Sequence, residues 1–313
     1  MISTEEYEYT DTLFHYIYGI EPFKLSSGSS TGSASVSSTK DYILATRYKI
    51  PVGKSSKVSS KVTEYRNNVS MESEQHFFYN KYDLPTKTIT KYKDGDSMTV
   101  LQHYPSDMTY GIYPQMASKH MLAYPIETIV NYNNKACDLS LKTYVEYNGM
   151  YLQKEDYSAT INGLANITSY NGNKKDSHYT TPNFTITNYD KRGRMISTTD
   201  RNNLCHVFAW DIYGRLIMHV ENATLAEVLS FCPRITYGDV PEEKIIHLRN
   251  NLKKASVTSY KYDNGKLCCI TNPRGIETYF EYDGFGRLIA ERDANHNITK
   301  KYQYHYASEY ENR

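Results

Sequence analysis

The sequence lacks a long apolar run, an excess of charge of one sign and a large aliphatic content. No stretch of its 313 residues approaches the ~20 apolar residues that a membrane-spanning helix needs. Basic and acidic residues nearly cancel, 36 against 35, which argues against a dedicated nucleic-acid binder and against charge-driven disorder. With tyrosine set aside and glycine counted, only about a third of the residues are apolar, below the usual ~45–50%. A helical bundle is also disfavoured, because Tyr, Thr, Ser and Asn dominate over the strong helix formers.

Patterns that carry chemistry are missing as well. The five cysteines are too few and too irregular for a disulfide scaffold, and no Cys-x-x-Cys pair indicates zinc. There is no HExxH, GxSxG or EF-hand pattern. The ten histidines are scattered without metal-ligand spacing, among them His103, His120, His178, His206, His219 and His305. The sequence therefore predicts a non-enzymatic chain with no catalytic residue, no metal site and no cofactor.

Residues 1–20 do not form a signal peptide. They lack a basic start, a 7–15-residue apolar stretch and a small-residue cleavage site. We expect a cytoplasmic protein if the chain is expressed alone, and a cell-surface or secreted location if it is part of a longer exported protein.

Tyrosine is the abundant residue, with 32 copies against nine Phe and one Trp. Short runs of β-branched and aromatic residues, bounded by Pro, Gly, Asn or Asp, occur at 41–50, 75–82 and 86–92, and they predict strands. Residues 26–40 are rich in Ser, Thr and Gly, which is typical of a flexible loop or linker.

The second half contains a strand–turn–strand repeat with a period near 20 residues. A full unit has Tyr or Trp, then Asp, two residues, Gly and Arg, and one unit is a residue shorter. The repeat turns are formed by Tyr189, Asp190, Gly193 and Arg194; by Trp210, Asp211, Gly214 and Arg215; by Tyr262, Asp263 and Gly265; and by Tyr282, Asp283, Gly286 and Arg287. Such a period, made of strand and turn signals, predicts an all-β antiparallel sheet of stacked hairpins. A helical insertion is predicted near 222–254.

The residue types suit a hairpin turn. Asp can close an Asx-type turn by accepting a backbone N–H, and Gly can adopt the positive φ that such loops require. Arg can stack on or near the ring that leads into the turn. Arg215 or Arg287 could instead anchor a ligand, but cross-strand stacking is the better interpretation.

These units resemble the YD repeats of the RHS family. Residues 271–288, TNPRGIETYFEYDGFGRL, are similar to the C-terminal repeat of RHS-repeat proteins from Bacteroidota, whose usual form has Asp at the position of Asn272. Further similarity lies at 79–85, 103–107, 119–125 and 221–224, so that the resemblance covers roughly 75–307. In this family YD hairpins form a continuous sheet that spirals into a hollow shell around a toxin. The resemblance implies that the chain forms a curled or partly shell-like sheet. It also implies that the chain is the C-terminal part of a longer repeat shell.

The predicted organisation has five parts. They are an N-terminal strand segment (1–24), a Ser/Thr-rich flexible loop or linker (25–61), a degenerate β-hairpin region (62–187), the YD-repeat region with its helical insertion (188–307) and a tail (308–313).

Three functions compete. The first is a non-catalytic structural or interaction segment of a surface or secreted bacterial protein, with further YD-repeat sheet or a neighbouring surface protein as its partner. The second is a carbohydrate-binding module that uses exposed Tyr on the sheet. The third is an enzyme such as a glycosidase, which needs two carboxylates about 5–10 Å apart in one cleft. Nothing in the sequence indicates such a pair.

Overall fold

The computed structural model describes residues 2–27, 40–66, 69–235, 238 and 240–305. This part of the chain has seventeen strands, three short α-helices and one 3₁₀ turn, and the registers place paired strands antiparallel. The all-β prediction is thereby confirmed. The strands are β1 (Ile2–Ser27), β2 (Lys40–Arg66), β3 (Val69–Tyr79), β4 (Pro85–Tyr92), β5 (Ser97–His103), β6 (Glu127–Tyr132), β7 (Lys135–Tyr147), β8 (Met150–Ala165), β9 (Phe184–Tyr189), β10 (Met195–Asp200), β11 (Cys205–Trp210), β12 (Leu216–Glu221), β13 (Ser256–Asp263), β14 (Lys266–Thr271), β15 (Glu277–Tyr282), β16 (Leu288–Arg292) and β17 (Ile298–Lys301). The helices are α1 (Tyr113–Ser118), α2 (Leu225–Phe231) and α3 (Glu242–Asn251), and the 3₁₀ turn is Pro105–Asp107.

The chain divides into two compact units. The first comprises the residues up to Leu101 together with Asn131–Asn134. In it β1 and β2 form one long hairpin, with Ile2 opposite Tyr65 and Ser27 opposite Lys40. The end of β2 pairs with β3, and β3 pairs with β4.

Residues 40–61, which belong to the predicted flexible loop or linker at 25–61, form a strand in the structure. β2 begins at Lys40, because the alternating β-branched and aromatic residues of 41–50 pair along β1. The rest of the Ser-rich run, 28–39, lies outside the described residues, as does the predicted tail at 308–313.

The second unit comprises Gln102–Val130 and the residues from Lys135 onward. β7 and β8 form a long hairpin, and each strand from β8 to β17 pairs with the next one along the chain. Short strands joined by tight turns are the architecture that the repeat period predicts.

Helices α2 and α3 lie in the segment where the helical insertion is predicted, and they cover one face of β11–β13. Thr224 caps α2: Glu227 N donates to Thr224 Oγ1 (3.3 Å), while the Glu227 carboxylate accepts from Thr224 N (2.7 Å). Alternate strand residues point at the helices and are buried there. The buried residues of this cluster are Val207, Ala209, Met218, Val220, Ala223, Val228, Cys232, Ile235, Ile245, Leu248 and Val257.

Within the described residues, no helix is both long and apolar enough to cross a membrane.

Candidate functional site

One turn geometry recurs at seven places in the described residues. In each, one side-chain oxygen of an Asp or Asn accepts the backbone N–H groups of the residues two and four positions later. The residue three positions later has a positive φ and donates its N–H to the backbone carbonyl of the first residue. These turns begin at Asn80, Asp190, Asp200, Asp211, Asn272, Asp283 and Asp293.

Three of the predicted repeat turns add an arginine to this geometry. Asp190, Asp211 and Asp283 accept a bond on their second oxygen from the Nε of the Arg four residues later, at 2.6, 2.6 and 2.7 Å. The glycines between them, Gly193, Gly214 and Gly286, have φ of 79°, 86° and 87°. Each guanidinium is therefore directed at the carboxylate of its own turn.

The shorter unit at Asp263 uses a different turn. Asn264 and Gly265 have φ of 47° and 82°, and Asp263 pairs with Lys266, which defines a two-residue type I′ hairpin. The exposed Asp263 side chain accepts from Asn264 Nδ2 (3.3 Å) rather than from the backbone. The Asx-turn explanation does not apply to this unit, because no backbone N–H of the described residues donates to the Asp263 side chain.

The aromatic residues of the last three repeats, together with Tyr304, reach back to an earlier unit. The polar atom of each donates to the backbone carbonyl of the residue that follows the Arg or Lys of an earlier turn, whereas Tyr189 donates to Gln153 O. The donor–acceptor pairs are Trp210 to Met195 (2.7 Å), Tyr262 to Leu216 (3.0 Å), Tyr282 to Leu267 (2.9 Å) and Tyr304 to Leu288 (2.8 Å).

Two of these rings also lie beside the arginine of the earlier turn. The Arg215 guanidinium lies 4.6 Å from the centre of the Tyr262 ring, and Arg287 lies 4.6 Å from that of Tyr304. A ring within the same turn lies farther away, with Tyr213 at 5.0 Å from Arg215 and Phe285 at 5.4 Å from Arg287, whereas the sequence suggested the ring that leads into the turn. Each of these units is completed by its successor, as in repeat proteins whose stability comes largely from neighbouring interfaces.

Replacing Asp211 with alanine is expected to destabilise the chain by about 1–3 kcal/mol at neutral pH, since its carboxylate carries charge-assisted bonds. Burial raises the pKa of Asp211, but hydrogen bonds from Arg215 and Tyr213 outweigh it and lower the net pKa. The ionised form therefore stabilises the fold above the unfolded-state pKa of about 3.9, and this contribution is lost as the pH falls through the lowered folded-state value. Urea unfolding between pH 7 and pH 3 should show the difference between wild type and variant shrinking in acid.

The matched control is Asp263→Ala, which removes the same sequence element from a turn that does not use it. We expect an effect within about 0.5 kcal/mol at all pH values. Equal losses for the two variants would show that the Asx bonds do not stabilise the repeat.

Two carboxylates do share a cleft, although the sequence does not reveal them. Glu242 of α3 and Glu277 of β15 line a cleft of about 400 Å³. Lys261 Nζ lies 2.6 Å from Glu242 Oε1 and 3.5 Å from Glu277 Oε1. A hydrogen bond from Tyr279, helped by Lys261, lowers the pKa of Glu277. Glycosidase chemistry needs one carboxylic acid with a raised pKa, whereas the pKa of Glu277 is lowered.

Glu127 is a buried carboxyl side chain of the second unit, and the sequence did not reveal it. Its side chain is fully buried on β6 and accepts from His103 Nδ1 (3.0 Å), Tyr170 N (2.9 Å) and Tyr179 Oη (2.9 Å). Burial, and next the charge of Glu127, raise the pKa of Tyr179, which stays a neutral donor. These bonds join distant segments, so we interpret Glu127 as architectural.

No family model and no curated protein matches the sequence. Among solved structures, similarity is found to a crystal structure of TcdB2-TccC3-Cdc42, at 11% identity and a TM-score of 0.46 over 78% of this chain and 14% of that one. A structure of TcdB2-TccC3-TEV has 11% identity and a TM-score of 0.43 over 88% and 15%. TcdB2-TccC3 without its hypervariable C-terminal region has 8% identity and a TM-score of 0.29 over 80% and 18%. The chain spans less than a fifth of each of these, and likeness at this level carries no conclusion about function.

Proposed function

We propose that this chain is a non-catalytic structural segment of an RHS/YD-repeat surface or secreted bacterial protein, belonging to the C-terminal part of a longer repeat array. Its partner is further YD-repeat sheet or a neighbouring surface protein. The observation that carries this proposal is the coupling between units, in which the Asp–Arg pair of one turn is covered by a ring of the next. Coupling of this kind extends along an array rather than around one reactive centre.

The β1–β2 hairpin supports an interaction role. Every side chain from Ser3 to Tyr18 on β1 is exposed. A two-stranded hairpin is marginal in water by itself, and an exposed apolar patch marks a site of association. The exposed apolar side chains of β1 are Tyr7, Tyr9, Leu13, Phe14, Tyr16, Ile17, Tyr18 and Ile20. We infer that another sheet covers this hairpin.

A carbohydrate-binding module is the second candidate. The exposed rings of Tyr16 and Tyr18 favour it, because sugar rings stack on such surfaces. However, Lys49 lies 5.4 Å from the centre of the Tyr16 ring, and Arg47 lies 4.4 Å from that of Tyr18. A sugar would have to use the opposite face of each ring.

The test uses a second copy of the full chain as the available YD-repeat sheet. Sedimentation velocity over the micromolar range should show concentration-dependent association of the wild type. A double variant, Phe14→Lys with Ile17→Lys, should weaken this association at least about tenfold, because it places charge on the apolar hairpin. The control is Phe285→Lys, an equally drastic change at a turn residue that is 86% exposed.

Monomers at every concentration, or association that survives the hairpin variant unchanged, would contradict the interaction role of the hairpin. A glycan array probed with the wild type and with a Tyr16→Ala, Tyr18→Ala double variant tests the carbohydrate-binding module. We expect the wild type to bind no glycan. Glycan binding by the wild type that is lost in the double variant would favour the carbohydrate module over the structural segment.

A further inference from the structure

His206 and His219 meet on the face of the sheet that α2 and α3 do not cover. Successive side chains of a strand point to opposite faces of the sheet. On β11, Val207 and Ala209 therefore face the helices, and His206 and Phe208 lie on the opposite face. In the register of β11 with β12, His206 lies opposite Glu221, and Phe208 lies opposite His219. Both histidines, Phe208 and Glu221 therefore share one face.

The two imidazoles point their nitrogens at each other. His206 Nδ1 and His219 Nε2 are 3.2 Å apart. One nitrogen of each ring and one oxygen of Glu221 lie within 4.8 Å of one another. Two nitrogens on a tetrahedral zinc ion, each about 2.0–2.1 Å from the metal, are about 3.4 Å apart. Small rotations of the side chains would bring the three groups onto one ion.

The other nitrogen of His206 faces a carboxylate outside the ligand set: His206 Nε2 lies 4.0 Å from Asp200 Oδ2. Histidines that bind a metal usually direct their second ring nitrogen to such a group, which fixes the orientation of the ring.

The site opens onto a cleft of about 340 Å³. Both histidines line it, together with Asp200 and the apolar side chains of Phe184 and Phe208. The Phe208 ring stacks on His219 with centroids 4.7 Å apart, which limits the movement of that imidazole. The cleft leaves room for water to complete the coordination.

We propose that His206, His219 and Glu221 bind a borderline divalent cation, with Zn²⁺ as the ion that the donor set suits best. Two imidazoles and a carboxylate are ligands for zinc, whereas Ca²⁺ and Mg²⁺ require oxygen ligands. The ion would join β11 to β12 and reach β10 through Asp200. The proposal departs from the sequence-based expectation of no metal site, because strand register, not sequence spacing, brings the ligands together.

Isothermal titration calorimetry of the full chain with ZnCl₂ tests this. The wild type should bind Zn²⁺ at a site whose affinity falls at least about tenfold in His206→Asn and in His219→Asn. The matched control is His120→Asn, since His120 is exposed with a φ of 61° that asparagine also tolerates, and this variant should bind like the wild type.

A second readout needs no variant. Adding Zn²⁺ to the wild type should shift the ring ¹⁵N resonances of two imidazoles together, with the nitrogens that bind the ion changing most. Absence of Zn²⁺ binding, or binding that both variants retain, would overturn the proposal and leave an ordinary N–H···N hydrogen bond between the rings. Histidine resonances unmoved at saturating Zn²⁺ would do the same.

Discussion

Replacing Glu127 with alanine is expected to destabilise the second unit by about 3–5 kcal/mol, among the largest effects of any single change in the chain. Among the described residues, Glu127 is the only hydrogen-bond acceptor of Tyr170 N and of Tyr179 Oη, and the substitution removes it from two buried tyrosines. A buried donor without an acceptor costs its full desolvation free energy, while the deleted carboxylate also leaves a cavity. The residues that Glu127 joins, His103, Tyr170 and Tyr179, lie 24, 43 and 52 residues away from it in the chain.

Urea unfolding followed by far-UV circular dichroism measures this loss. Glu146→Ala is the control, because Glu146 is exposed on the neighbouring strand β7 and should change the stability by less than about 0.5 kcal/mol. The stability of Glu127→Gln should lie between those of the two alanine variants, since the glutamine amide keeps one acceptor oxygen. If Glu127→Ala unfolds at the same urea concentration as Glu146→Ala, the buried carboxylate does not hold these segments together.

The turns were the part of the fold that the sequence could predict best, because their chemistry is local. Asp, Gly and Arg at fixed offsets suffice to close the turns at Asp190, Asp211 and Asp283. Four further turns of the same geometry were missed: three place Asp83, Asn203 or His296 where a glycine was expected, and the fourth begins with Asn272 instead of Asp. Asn, Asp and His tolerate the left-handed conformation better than other residues, so an Asx residue followed three positions later by one of them was the available signal.

The contacts between elements could not be read from the sequence. Nothing within a strand reveals that His206 faces Glu221 across the sheet, because a shift of one residue in the register would turn every side chain to the other face. Glu127 likewise looks like any strand glutamate until its three donors are placed around it. The predicted loop at 25–61 overlaps β2 because its boundary was drawn from the Ser-rich composition, although the alternating residues of 41–50 already predict a strand.

Leu248→Ala is expected to cost about 3 kcal/mol, because Leu248 is fully buried where α3 packs on the sheet. It belongs to the buried cluster that also contains Val207 and Val220, which lie on the strands that carry His206 and His219 on their other face. The control is Ile246→Ala on the same helix, where the side chain is 45% exposed and the loss should stay below about 1 kcal/mol. Both variants introduce alanine into the same helix, so the change in helix propensity is similar in the two. The difference between their free energies of unfolding in urea therefore reports the burial of the side chain. Equal losses at the two positions would mean that α3 does not stabilise the sheet. A larger loss at Leu248 would show that the inserted helices support the strands on which the proposed zinc ligands stand.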